Sequence, residues 1–240
     1  MTRCSSGLLA ALWLASAGPV AAAEAGYPQP LGFSPDGTRF AFAEWGVQDG
    51  SGFSFANLYV IDIAADRYAA RPVRVVIKDE TAAANQALRQ AKERAADALE
   101  DAAITLPARL VYAAPFALPD DDASLQTVPV RWRDPVGVGA EAGAFDLSLS
   151  RFPLPGRDCG YDQFGFALAL DGVEFYRDAA LPGSRYCPVG YTLERVYLAD
   201  MVWPEPVAVA LIGVHSPGFE GLNLRHIAVP IPLDRIGSLD

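Results

Sequence analysis

Along much of this chain, apolar residues recur at every second position, the period of a β-strand. Thr38 to Trp45 sets Phe40 and Phe42 against Ala41 and Ala43, so one face is bulky and the other small. Asn57 to Ile63 places Tyr59, Ile61 and Ile63 on one face and Leu58 and Val60 on the other. Strands apolar on both faces are usually covered on both sides. Ser34-Pro35-Asp36-Gly37, ahead of the first of these strands, carries tight-turn residues. Ala64 to Arg67 reads as a polar turn. Arg71 to Lys78 then alternates, with Val73, Val75 and Ile77 inward and Arg74 and Lys78 outward. The pattern predicts a three-stranded antiparallel meander, preceded by a short polar lead over Glu24 to Pro30.

From Asp79 to Ala103 the period changes. Ala84, Leu88, Ala91, Ala95, Leu99 and Ala102 recur at three- and four-residue steps, the stripe of one helix. Asp79 and Glu80 would suit its N-terminal end, Arg89 and Glu93 an i,i+4 pair, and Pro107 would stop it. A stripe of alanines demands close approach to a flat surface, so the helix should lie across the meander. Beyond the apolar stretch Leu110 to Pro119, the acidic triplet Asp120–Asp122 lacks calcium-loop spacing. The Gly-rich link Asp134 to Gly143 lacks a phosphate-cradle pattern.

The C-terminal half predicts strand after strand. Val128 to Trp132 is short. Phe145, Leu147 and Leu149 alternate with Asp146, Ser148 and Ser150, which leaves one face wet. Phe164 to Leu170 and Val173 to Tyr176 flank Asp171-Gly172, a strong hairpin signal. Thr192 to Ala199, Val207 to Val214 and Arg225 to Ile231 complete the set. The expected class is mainly β (α+β): an N-terminal antiparallel meander with one Ala-rich helix, packed with a C-terminal antiparallel β-sandwich. The expected division is residues 24–119 and 120–240, or one continuous domain over 24–240.

Composition narrows the setting. Of 240 residues, 51% are hydrophobic and 20% charged, a globular balance. The formal charge of −10, without a basic run, disfavours nucleic acid and anionic membrane surfaces. Arg3, the apolar run Leu8 to Ala17, the break at Gly18-Pro19 and the small residues Ala21 to Ala23 make a cleavable signal. The apolar run is too short to span a bilayer. Cleavage is expected after about Ala23, in a periplasmic or secreted protein with no stable membrane insertion. Cys4 leaves with the signal. Cys159 and Cys187 remain, and in an exported chain they favour one disulfide over two free thiols. A zinc pair lacks a second Cys or His at ligand spacing.

Two groups of residues carry candidate chemistry. In the loop Gly46 to Phe55, Trp45 and Phe53 flank Asp49 and Ser51. Rings that stack beside polar groups that orient suit a sugar or a peptide; capping of the core is the alternative. His215 and His226, with Glu220 between them, could bind zinc if the flanking strands form a hairpin that brings the rings together. Unrelated, capped histidines are the alternative. Nothing marks a nucleophile elbow or a paired-carboxylate glycosidase. The expected function is therefore a non-enzymatic binding or envelope-interaction module without a cofactor, its partner an envelope protein, a peptide or a glycan. The competing expectation is a secreted hydrolase, in one form metal-dependent through His215, Glu220 and His226.

The stretches FSPDGTRFAFAEWGVQDGSGFSFANLYVIDI (Phe33 to Ile63), LPGSRYCPVGYTLERV (Leu181 to Val196) and PGFEGLNLRHIAVP (Pro217 to Pro230) carry a family resemblance. They resemble a bacterial family of predicted secreted proteins, domain of unknown function family 2259. The resemblance implies export and assigns no catalytic residue. The first stretch alone also resembles one repeat of the TolB-like propellers, which need several copies to close a ring.

Overall fold

The strands that are apolar on both faces are the ones the fold covers twice. The computed structural model describes residues 24–114, 124–133, 141–199 and 206–235. The expected signal segment, the Asp120–Asp122 triplet and most of the Gly-rich link lie outside these residues. The chain begins with β1 (Tyr27–Phe33), β2 (Arg39–Val47), β3 (Ser54–Asp62), β4 (Arg67–Tyr68) and β5 (Val73–Ile77). These form one antiparallel sheet in the order β1-β2-β3, with β4 and β5 both on the far side of β3. The expected meander is present, and it gains β1 from the supposed lead. Pro28 and Pro30 hide that strand in the sequence. Proline lacks an N–H, but an edge strand tolerates it.

The turn before β2 is built as its residues suggest. Gly37 has φ 69° and donates its N–H to the Ser34 carbonyl at 3.0 Å. The Asp36 carboxylate accepts from the Ser34 hydroxyl at 2.6 Å and from the Thr38 backbone at 3.0 Å. Those bonds hold Asp36 down at about 2.

The expected single helix is two: α1 (Gln86–Arg94) and α2 (Ala96–Asp101), broken at Ala95. Asp79 and Glu80 precede it by well over a turn. Asp79 accepts from the Thr81 N–H at 2.9 Å and its hydroxyl at 2.7 Å, a local turn that competes with helix. Arg89 bonds the Asn85 side chain, at 2.8 Å. The alanine stripe does what its size requires. Ala87, Leu88, Ala91 and Ala95 pack on Ala41, Ala43, Ala56, Leu58 and Val75, the small face of the meander.

The remaining strands are β6 (Arg109–Ala113), β7 (Leu125–Arg133), β8 (Glu141–Pro153), β9 (Phe164–Leu170), β10 (Val173–Arg177), β11 (Gly190–Ala199), β12 (Val207–Pro217) and β13 (Leu222–Ile231). An outer sheet runs β10-β9-β8-β7 and a central sheet β13-β12-β11-β6. The Asp171-Gly172 turn joins β9 to β10 with φ 48° and 81°. Val130, Phe145, Leu147, Phe166 and Leu168 of the outer sheet meet Leu193, Val196, Ala210 and Ile212 of the central one. The central sheet's other face presents Tyr197, Val209 and Leu211 to Phe33, Phe40, Phe42, Tyr59 and Ile61. The layers are thus helix, meander, central sheet and outer sheet. The expected sandwich is the last two. β6 precedes residue 119 and pairs with β11, so the central sheet draws on both expected regions. Cys159 and Cys187 form a disulfide across 28 positions. The bridge ties the loop before β9 to the loop before β11.

Candidate functional site

The apolar layer between meander and central sheet turns polar at one end. On β2, Phe40 and Phe42 are followed two positions later by Glu44, which is 1% exposed. Its Oε1 accepts from Asn57 Nδ2 and from the Tyr59 hydroxyl, each at 3.0 Å. Its Oε2 accepts from the His226 backbone N–H at 2.8 Å and lies 3.4 Å from the ring Nδ1. Burial, with Glu44 beside it, raises the Tyr59 phenol far above its usual range.

This arrangement blunts an edge. β13 is the outer strand of the central sheet, with no strand beyond it among the described residues. The Leu224 N–H donates to the Glu24 carbonyl, and the Gly26 N–H donates to the Leu224 carbonyl, both at 2.9 Å. One step on, the Glu44 carboxylate accepts the His226 N–H where a neighbouring strand's carbonyl would stand. At these positions the edge of β13 is closed to pairing with another chain.

His215 belongs to a second buried chain. Its Nε2 lies 2.9 Å from Thr192 Oγ1, and that hydroxyl donates to Glu194 Oε1 at 2.6 Å. A carboxylate only accepts, so the Thr192 proton goes to Glu194 and the hydroxyl oxygen takes Nε2–H. Burial, aided by the His226 ring, pushes the His215 imidazole down to about 4. It is neutral at pH 7. Gly213 leaves room for the Thr192–Glu194 pair that holds His215. A Cβ there would stand 2.5 Å from Thr192 Oγ1 and 3.0 Å from Glu194 Cγ.

The β12–β13 hairpin forms, but it sets His215 opposite Leu224 and His226 opposite Gly213. The two rings lie one alternation apart on a buried face. Glu220 is not brought to them. It sits at the hairpin tip, where its backbone N–H donates to Asp49 Oδ2 at 3.0 Å. Among the described residues, no group of three His, Cys, Asp or Glu side chains is arranged to hold a metal ion.

The loop after β2 is shorter than expected, because β2 runs to Val47 and β3 starts at Ser54. Within it, Ser51 Oγ donates to Gln48 Oε1 at 3.3 Å and accepts the Phe53 N–H at 3.4 Å. Ser51 and Phe53 therefore take part in the turn's own bonding. Trp45 and Asp49 border a cleft of about 610 Å³, together with Ala25, Tyr27, Gln48 and Glu220. The Tyr27 and Trp45 rings lie 5.8 Å apart, tilted by 47°. Tyr27 is 60% exposed. The Asp49–Glu220 bond closes the rim by joining two loop tips that are distant in sequence. Phe219, beside it, is 86% exposed.

A second cleft of about 310 Å³ lies at the outer edge of β13, bordered by Glu44, Tyr59, Tyr68, Arg74, Arg225 and His226. Two of its cations are already paired. Arg225 binds the Glu24 carboxylate and lies over the Phe55 ring at 4.3 Å. Arg185, also at this cleft, binds the Asp178 carboxylate and the Tyr176 hydroxyl.

Tyr27, Gln48, Glu44, Tyr68 and Arg74 were not singled out from the sequence. Glu44 left a signal: an acid at the inward position that continues Phe40 and Phe42. Tyr27 left none beyond its flanking proline.

A family model described as predicted secreted protein (DUF2259) matches residues 41–232 of this chain. No curated protein and no solved structure matches it.

Proposed function

The chain belongs to the DUF2259 family of predicted secreted proteins, and we propose that it is a non-enzymatic binding module for a neutral or amino-bearing glycan, held in the cleft beside Trp45. Its place of work is the periplasm or the medium, after signal cleavage following Ala23. Among the described residues, no helix is long and apolar enough to cross a membrane.

The observation that carries the reading is the Asp49–Glu220 bond, which holds two loop tips beside the exposed Tyr27 ring and the half-buried Trp45 ring. Sugar rings stack on aromatic faces through their C–H edges, while carboxylate and amide oxygens take the hydroxyl protons. Tyr27 and Trp45 supply the faces, and Gln48, Asp49 and Glu220 the polar rim. The volume lies within the usual range for small-ligand clefts. Two acids at the rim of a chain of charge −10 repel uronic acids and favour neutral or amino sugars. The buried acids and the imidazole do not serve this cleft: Glu44 is bonded to Asn57, Tyr59 and the His226 N–H, and Thr192 joins Glu194 to His215.

The test is an immobilised panel of neutral, amino and acidic oligosaccharides, probed with the mature protein and with Trp45→Ala. Retention of a neutral or amino member, lost in a Trp45→Ala variant that melts like the parent, supports the reading. Retention of acidic members alone, or binding indifferent to Trp45, rejects it.

A further inference from the structure

The cleft at the outer edge of β13 differs in chemistry from the one beside Trp45. Three guanidiniums border it, in a chain whose net charge is negative. Arg185 is matched by Asp178 and Arg225 by Glu24. The one carboxylate at the cleft, Glu44, is almost wholly buried and already accepts from Asn57, Tyr59 and the His226 backbone. Arg74 stands apart. It projects from β5 opposite Asn57, is exposed, and has no acid bonded to it among the described residues.

The surroundings of Arg74 are those of a receptor. Tyr68 stacks on Tyr59 at 5.6 Å, almost parallel, and the positive charge of Arg74 acts on both phenols. Across the cleft, the 3₁₀ turn Gly183–Arg185 brings Ser184, and Tyr186 follows it. Tyr186 has φ 58° and ψ −116°, a conformation that side-chain-bearing residues rarely adopt. The Arg157 guanidinium lies over its ring at 5.4 Å. Backbone strain of this kind clusters at ligand clefts, and here the neighbouring disulfide at Cys187 helps to hold it.

We infer that this cleft binds a small oxyanion, a carboxylate or a phosphate monoester, gripped by the Arg74 guanidinium with the Tyr68 hydroxyl and Ser184 beside it. A guanidinium presents two parallel N–H groups that match the two oxygens of either group. The volume of about 310 Å³ admits a group of monosaccharide size. Its position beside the Glu24–Arg225 pair sets it next to the first residues of the proposed mature chain. The site is independent of the glycan reading, since the two clefts share no bordering side chain.

The experiment is calorimetric titration of the mature protein with two sets of probes. One holds acetate, lactate and glucuronate; the other holds inorganic phosphate and glucose 6-phosphate. Each is repeated with Arg74→Gln, Arg74→Lys and Trp45→Ala. Saturable binding in either set supports the proposal if Arg74→Gln weakens it by about tenfold or more, the loss of one charge-assisted contact. The set that binds then names the oxyanion. Arg74→Lys should fall between the two, because it keeps the charge without the fork. Trp45→Ala should bind as the parent does. Arg74 is exposed on a short strand, and an unchanged melting temperature checks that its variants fold. If no probe saturates below about 10 mM, or if Arg74→Gln binds as tightly as the parent, the proposal is overturned.

Discussion

Replacing Glu44 by glutamine should expose how much the two halves of the molecule depend on one carboxylate. The side chain keeps its size, so packing is undisturbed. What changes is the donor balance. Glu44 offers two acceptor oxygens to Asn57 Nδ2, the Tyr59 hydroxyl and the His226 N–H. An amide offers one oxygen and one NH₂. If the oxygen stays on Asn57 and Tyr59, the NH₂ faces the His226 N–H, donor against donor. If it flips, Asn57 can turn its own oxygen to the NH₂, but the buried Tyr59 hydroxyl proton loses its acceptor. Either way a buried donor is left without a partner. A charge-assisted bond contributes about 1.5–3 kcal/mol, and an unsatisfied buried donor costs about 1–3 kcal/mol. Relief of the carboxylate's desolvation offsets part of this. The expected loss is about 2–4 kcal/mol. Domains of this kind are stable by roughly 5–15 kcal/mol, so the variant should still fold. Urea unfolding at pH 7, with the slope unchanged, measures the loss. A loss below about 0.5 kcal/mol would refute the view that Glu44 joins the meander to the edge of β13.

Gly213→Ala should cost about 1–3 kcal/mol by overpacking, because its Cβ would enter the space of Thr192, Leu224 and Glu194; thermal melting measures it, and an unchanged midpoint would contradict the packing. His215 gives a pH dependence. Its folded value, about 4, lies below the ordinary 6.5. As pH falls, the unfolded chain takes the proton first, so the contribution is complete above about 6.5 and drains away towards 4. The total is about 3 kcal/mol, and His215→Gln should flatten that slope in urea titrations at pH 7.5, 5.5 and 4.5. Replacing Cys159 and Cys187 by serine should lower stability by about 3–4 kcal/mol, from reopening a 28-residue separation in the unfolded chain; equal midpoints for the variant and the oxidised parent would contradict this.

Strand period carried most of the fold. The double-faced apolar pattern of Phe40 to Ala43 and Leu58 to Ile61 meant cover on both sides, and a helix and the central sheet supply it. Asp171-Gly172 marked its hairpin. That β6 joins the central sheet was not legible, because it pairs with β11 across some eighty positions of sequence, and period says nothing of pairing at that distance. β1 was hidden by its prolines, and the helix start by the local turn at Asp79. At the sites, Trp45 and Asp49 were legible as an aromatic beside an acid. Tyr27 and Glu220 join them only through tertiary structure. Sequence proximity groups Glu220 with the histidines, whereas register carries the rings inward and the hairpin tip carries Glu220 to Asp49.

The measurement that bears most directly on the proposed binding function is amide and side-chain shift mapping by NMR, with the strongest neutral or amino-sugar binder from the panel added to the mature protein. Binding in the cleft beside Trp45 should shift Ala25, Tyr27, the Trp45 indole, Gln48, Asp49 and Glu220 and leave Tyr68 and Arg74 unmoved. Shifts centred on Tyr68 and Arg74, or scattered over the outer sheet with Trp45 silent, would contradict it.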